Sequence, residues 1–260
     1  MMFSRITRLA AALLLAFGPM ASQASAGPAG APGLPQLDRG LDTVLASGKA
    51  LRSTQVLSAR DLEAPLPQGY GDAIYGAFSR ETSAARVASE SKGRKGDVNG
   101  LIAFEDLAVR HEKALEQEQR EYDAYMAALS EGRIRIDPKV VAGWPVRDQQ
   151  AFKAFLSPRA VGAYPSLSRL SALPMADDLA MAGAMSGAAS EECRVAAPCI
   201  VPCRNQNWTA CLACINRAVS AARTAWSQYQ SCKTGAGKPR WVPLRVWQAG
   251  CLVKLVAVLA

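Results

Sequence analysis

The sequence predicts a mainly α-helical protein: a helical N-terminal region built on one long amphipathic helix, then a small, cationic, helical C-terminal module stapled by disulfides. Three observations carry this. Between residues 100 and 130, Phe104, Ala108, His111, Leu115, Glu118, Tyr122, Tyr125 and Leu129 recur in alternating steps of four and three, the period of a helix with one buried stripe. All seven cysteines (Cys193, Cys199, Cys203, Cys211, Cys214, Cys232 and Cys251) lie beyond residue 192. That same stretch carries nine Lys and Arg and no Asp or Glu, a formal +9, whereas residues 27–192 carry 19 basic and 22 acidic groups, a formal −3.

The chain opens with the pattern of a secretory signal. Arg5 and Arg8 precede a short apolar run from Leu9 to Phe17, and Ala24-Ser25-Ala26 supplies a small-residue cleavage site, so the mature chain is expected to begin near Gly27. The apolar run is about half the roughly 20 residues a spanning helix needs. Export places the protein in a periplasm or outside the cell, where disulfides persist. The expected division is a signal peptide over 1–26, a flexible leader rich in Gly and Pro over 27–35, a helical domain over 36–186, a linker over 187–192 and the cysteine-rich cationic module over 193–260.

Taken in order, Leu37, Leu41, Val44 and Leu45 predict a helix running to Gly48. Thr54 to Leu57 reads as a short strand, while Ser58 with Asp61 reads as the start of a helical turn. Asp72 is the expected N-cap of a helix through Ile74, Ala77, Phe78 and Ala85 that frays near Ser91, before a solvated polar loop with Lys92, Arg94 and Lys95. Asn99 is the expected cap of the long helix and Gly132 its stop. Glu118 interrupts the buried stripe, so its level should meet solvent or a basic or hydrogen-bonding neighbour. Arg133 to Ile136 alternates like a strand but is too short to assert a sheet. Asp137-Pro138 marks a helix start with Gly143 as its stop, and Asp148 caps a helix carrying Phe152, Phe155 and Leu156 that Pro158 ends. Met175, Leu179, Ala182 and Met185 suggest one more helix.

His111 is the only histidine, and on a half-buried face it is expected to be packed or hydrogen-bonded. A single histidine excludes zinc sites of two cysteines and two histidines and multi-histidine catalytic zinc, and no metal or cofactor is expected. Ser89-Glu90-Ser91-Lys92 and Lys233-Thr234-Gly235 match two motifs of penicillin-binding enzymes, but the middle Ser-x-Asn and the strands of that fold are missing.

Cys211 and Cys214 support two readings. Asn207 or Thr209 can cap a helix here, placing Cys211 in the first turn, where the helix dipole favours a thiolate; a periplasmic thiol-disulfide oxidoreductase would then use Cys211 as nucleophile and Cys214 to resolve. The preferred reading is two staples one turn apart, given the other cysteines nearby and no βαβ pattern. If residues 209–232 are one helix, Cys211 and Cys232 are about 32 Å apart, too far to bond. The expectation is therefore a Cys232–Cys251 bond, two bonds from Cys211 and Cys214 to the 193–203 arm, and one arm cysteine left free or joining two chains as a disulfide-linked dimer.

The residues expected to meet an anionic surface are Arg217, Arg223, Lys238, Arg240, Trp241, Arg245, Trp247 and Lys254. Tryptophan beside arginine suits a headgroup region, with an anionic lipid surface or a partner protein as the target and nucleic acid not expected. The alternative is that these tryptophans form the core of a stapled domain. The spacing of Cys199, Cys203 and Cys211 resembles part of halocin-type bacteriocin peptides, over that short stretch alone. That resemblance implies a compact peptide released from a precursor, with residues 27–192 as a neutralising or carrier region. The function expected is that of an exported, non-enzymatic binding protein. A helical envelope assembly component, with the 100–130 helix as its interface, is a further alternative.

Overall fold

The computed structural model describes residues 33–156 and 194–260. The signal segment, most of the leader, Pro158, the helix expected around Met175 to Met185, the 187–192 linker and Cys193 lie outside the described residues. Within them the protein is mainly α, as expected, with nine helices and one pair of two-residue strands.

Helix α1 (Leu34–Arg52) starts inside the expected leader, because Pro35 in its first turn has no N–H to leave unbonded and a φ already suited to a helix. It also runs through Gly48 instead of stopping there. A Cβ at that position would strike the Glu118 carboxylate and the Tyr122 hydroxyl, so the missing side chain serves a close approach of α1 to the long helix. Glu118 is buried at this level, beside Tyr122.

Both readings of residues 54–63 hold in succession. Strand β1 (Val56–Leu57) pairs in parallel with β2 (Arg135–Ile136), Val56 opposite Arg135, so the short alternating segment does form a sheet contact. Helix α2 (Ala59–Glu63) follows on a capping box: the Asp61 N–H donates to Ser58 Oγ at 3.3 Å and the Ser58 N–H donates to Asp61 Oδ2 at 2.9 Å.

Helix α3 (Tyr70–Glu90) begins before Asp72, on Gly69 at φ +104°, which places Asp72 in the first turn and not at the cap. Helix α4 (Asn99–Ser130) likewise takes Asn99 into its first turn, where its N–H donates to Asp97 Oδ1 at 2.8 Å. Gly132 at φ +74° ends it as expected, with the Arg133 N–H returning to the Ala128 carbonyl at 2.9 Å. Asp137 caps α5 (Pro138–Ala142). Pro145, not Asp148, precedes α6 (Val146–Phe155), leaving Asp148 in its first turn.

The C-terminal stretch forms α7 (Ala197–Arg204), α8 (Trp208–Cys232) and α9 (Leu244–Leu259). It is not packed apart as an independent module. Helix α9 lies along α4 and α8 lies along α3, so both halves of the chain share one hydrophobic core. The cause is the composition of α9, which is apolar nearly all round and can satisfy that only by being enclosed. No helix among the described residues is long and apolar enough to cross a membrane. The ends of these helices complete one another. Val195 and Ala197 donate their N–H groups to the carbonyls of Val258 and Ala260, both at 3.0 Å, and the Arg194 guanidinium meets the buried Glu112 carboxylate at 2.9 Å.

Candidate anionic-surface interface

Three disulfides hold the C-terminal helices. Cys199 bonds Cys214 and Cys203 bonds Cys211, with Cα separations of 5.4 and 4.7 Å, and Cys232 bonds Cys251 at 5.9 Å. The geometry follows from helical spacing: Cys199 and Cys203 stand four apart on one face of α7, and Cys211 and Cys214 stand three apart on the facing side of α8. Asn207 is the cap of α8, its Oδ1 accepting the Ala210 N–H at 3.3 Å. The pairing is the stapled one. Cys211 and Cys214 sit in different bonds, fully and almost fully buried, so neither offers a thiolate to a substrate. The odd cysteine of the arm, Cys193, lies outside the described residues.

Ser89 Oγ lies 2.9 Å from Cys211 Sγ and also donates to the Ala85 carbonyl at 2.8 Å. Lys233-Thr234-Gly235 stands at the far end of α8, about 33 Å away along that helix, so the two penicillin-binding motifs do not assemble.

His111 is buried and hydrogen-bonded, as expected for a lone helix-face histidine. Its Nδ1 lies 2.6 Å from the Tyr70 hydroxyl and its Nε2 lies 2.7 Å from Asp38 Oδ1, so one imidazole ties α1, α3 and α4 together. Both contacts are satisfied when neutral His111 donates from Nε2 to Asp38 and accepts from Tyr70 at Nδ1. Burial lowers the His111 pKa, with the Asp38 hydrogen bond opposing, and burial raises that of Tyr70. Nothing in the sequence marks Asp38 or Tyr70 as the partners, because the three residues come together only through helix packing.

The expected anionic-surface residues divide in two. Trp241 and Trp247 are buried and cannot reach a headgroup. Trp241 packs on Phe152 and Phe155 of α6, and Trp247 Nε1 donates to the Cys232 carbonyl at 2.9 Å, one of the open carbonyls at the end of α8. Lys238 Nζ donates to the Val242 carbonyl at 2.7 Å, and burial depresses the pKa of both Lys238 and Lys254. Arg245 points inward, donating to the Ser47 carbonyl at 3.3 Å, and Arg240 faces Asp148 at 3.6 Å. Trp241, Trp247, Lys238, Arg245 and Lys254 are thus buried or half-buried, whereas Arg240 stays exposed beside the Asp148 carboxylate.

Arg217 and Arg223 remain. They lie on the solvent face of α8 among Asn216, Ser220, Thr224 and Ser227, a face with hydroxyl and amide groups and no carboxylate of its own. Its N-terminal end adjoins the 91–98 loop, where Gly93 packs on Trp208 and Lys92, Arg94 and Lys95 are exposed. Exposed Arg204 precedes this helix, so the loop read from sequence as merely solvated extends the basic face. Compared with known proteins, the chain matches no family model, no curated protein and no solved structure.

Proposed function

We propose that the protein is an exported, non-catalytic adaptor that binds an anionic surface through the solvent face of α8 and the basic loop beside it. The observation that carries this reading is the carboxylate-free face around Arg217 and Arg223, presented on a helix tied by disulfides at both ends. Such a face is pre-organised, so little conformational entropy is lost when a polyanion docks. With Trp241 and Trp247 inside the core, the attraction here is electrostatic and not insertion of those rings. The test is calorimetric titration of the exported chain with heparin, a soluble sulfated polymer. Affinity should fall as salt rises, and Arg217→Gln with Arg223→Gln should weaken it while the far-ultraviolet circular dichroism is unchanged. Equal affinity of that double variant and the parent at low salt refutes the assignment.

A further inference from the structure

We propose that the cleft between the start of α3 and the C-terminal end of α8 is a binding site for a free α-amino acid with an apolar side chain. The site is independent of the anionic-surface face, since Lys233, its cation, lies about 15 Å beyond Arg223 along the axis of α8.

The cleft has a volume of about 220 Å³ and is walled by α1, the 66–69 segment, α3, α8 and α9. At that size it suits a molecule smaller than the usual drug-sized ligand. Its lining sorts by accessibility: Val44, Leu66 and Leu252 are buried and apolar, whereas Asp72 is exposed and Tyr229 and Lys233 are half-buried. Tyr229 fits because Gly71 has no side chain. A Cβ there would strike the Tyr229 hydroxyl, so the phenol can lie against the first turn of α3. Burial, with Asp72 nearby, raises the Tyr229 pKa to about 12, so the hydroxyl keeps its proton, and among the described residues no hydrogen bond takes it up.

The faces of Trp226 and Tyr229, 5.7 and 5.3 Å from the Lys233 ammonium, set that group in place. Its Nζ then lies 3.7 Å from Asp72 Oδ1, longer than the about 2.7–3.2 Å of an N–H···O hydrogen bond. The Gln230 amide reaches the same oxygen at 3.5 Å. Opposite charges are thus held side by side without using up the ammonium donors or the carboxylate lone pairs.

A zwitterion matches that pair. Its carboxylate goes to Lys233 and the Tyr229 hydroxyl, its ammonium goes to Asp72, and its side chain goes toward Val44, Leu66 and Leu252. A lone anion would meet Asp72 as a like charge, and a lone cation would meet Lys233. The cleft is braced in advance: Gln248 Oε1 accepts the Leu66 N–H at 2.8 Å and its Nε2 donates to the Lys233 carbonyl at 2.7 Å. The Cys232–Cys251 bond joins the residues next to Lys233 and Leu252, so little ordering is left for the ligand to impose.

The experiment is calorimetric titration of the exported chain with leucine, glycine, isocaproate and isoamylamine. Leucine should bind, and glycine, which lacks the apolar side chain, should bind at least about ten-fold more weakly. Isocaproate and isoamylamine each lack one charged group of leucine and should each lose about ten-fold or more. Asp72→Asn and Lys233→Gln should each weaken leucine binding by a similar factor, with the circular dichroism unchanged.

Absence of leucine binding at millimolar concentration overturns the proposal, and that result needs no variant to fold. So does equal binding of isocaproate or isoamylamine, which would assign the cleft to a singly charged ligand, or equal binding of glycine, which would leave the apolar lining without a role. Leucine affinity that ignores both substitutions in folded variants has the same consequence. Failure of the α8 reading looks different: heparin affinity would ignore Arg217→Gln with Arg223→Gln while the leucine results stood.

Discussion

Removing the Cys232–Cys251 bond tests both the staple and the shared core. The bond closes a loop across a sequence separation of 19 between the end of α8 and the middle of α9. Loop-closure entropy for about 20 residues predicts a loss of about 3 kcal/mol when Cys232→Ser and Cys251→Ser are combined. The hydrogen bonds from Trp247 and Gln248 to the carbonyls of Cys232 and Lys233, at 2.9 and 2.7 Å, survive the change, so no further loss of capping is expected. With a guanidinium m-value of about 5 kcal/mol/M, the midpoint should fall by about 0.6 M. Unfolding followed by tryptophan fluorescence and by circular dichroism should remain one coincident transition, because α9 is packed on α4 and α8 on α3. An unchanged midpoint would refute the loop-entropy argument. A transition that splits, with only its first part shifted, would refute the shared core and restore an independent C-terminal module.

Two further outcomes follow from the buried polar contacts. The His111 pKa is lowered in the folded state from an ordinary value of 6.5, so the unfolded chain binds a proton more readily; stability is full above about pH 6.5 and declines as pH falls from there toward the folded pKa. His111→Gln should flatten that decline in equilibrium unfolding between about pH 5 and 7, and an unchanged slope would show that other groups cause it. Gly48→Ala should cost about 1–3 kcal/mol, measured by thermal unfolding, because the new methyl group meets the Glu118 carboxylate and the Tyr122 hydroxyl of α4. A neutral effect would mean that α1 shifts without cost.

The parts of this protein legible in its sequence are those governed by local periodicity and chain geometry. The long helix was readable because Phe104 to Leu129 repeat at helical spacing, and the Cys232–Cys251 bond because a continuous α8 keeps Cys211 and Cys232 too far apart to join, whereas the individual arm partners of Cys211 and Cys214 came only from the packing of α7 on α8. Exact helix starts were less legible, since Asp72, Asn99 and Asp148 are as good in a first turn as at a cap, and the choice depended on Gly69, Asp97 and Pro145 just upstream. What the sequence could not decide is which side of a residue faces inward once two regions meet. The basic, tryptophan-bearing stretch from Lys238 to Trp247 has the composition of a surface anchor, yet the enclosure of α9 turns Trp241 and Trp247 into core and draws Lys238 and Arg245 onto backbone carbonyls. The Asp38–His111–Tyr70 contact likewise spans three helices far apart in sequence, and only their packing brings its atoms within hydrogen-bonding distance. Periodicity determines which face of an element is apolar; the tertiary structure decides what that face is buried against, and so which charges are left for a partner.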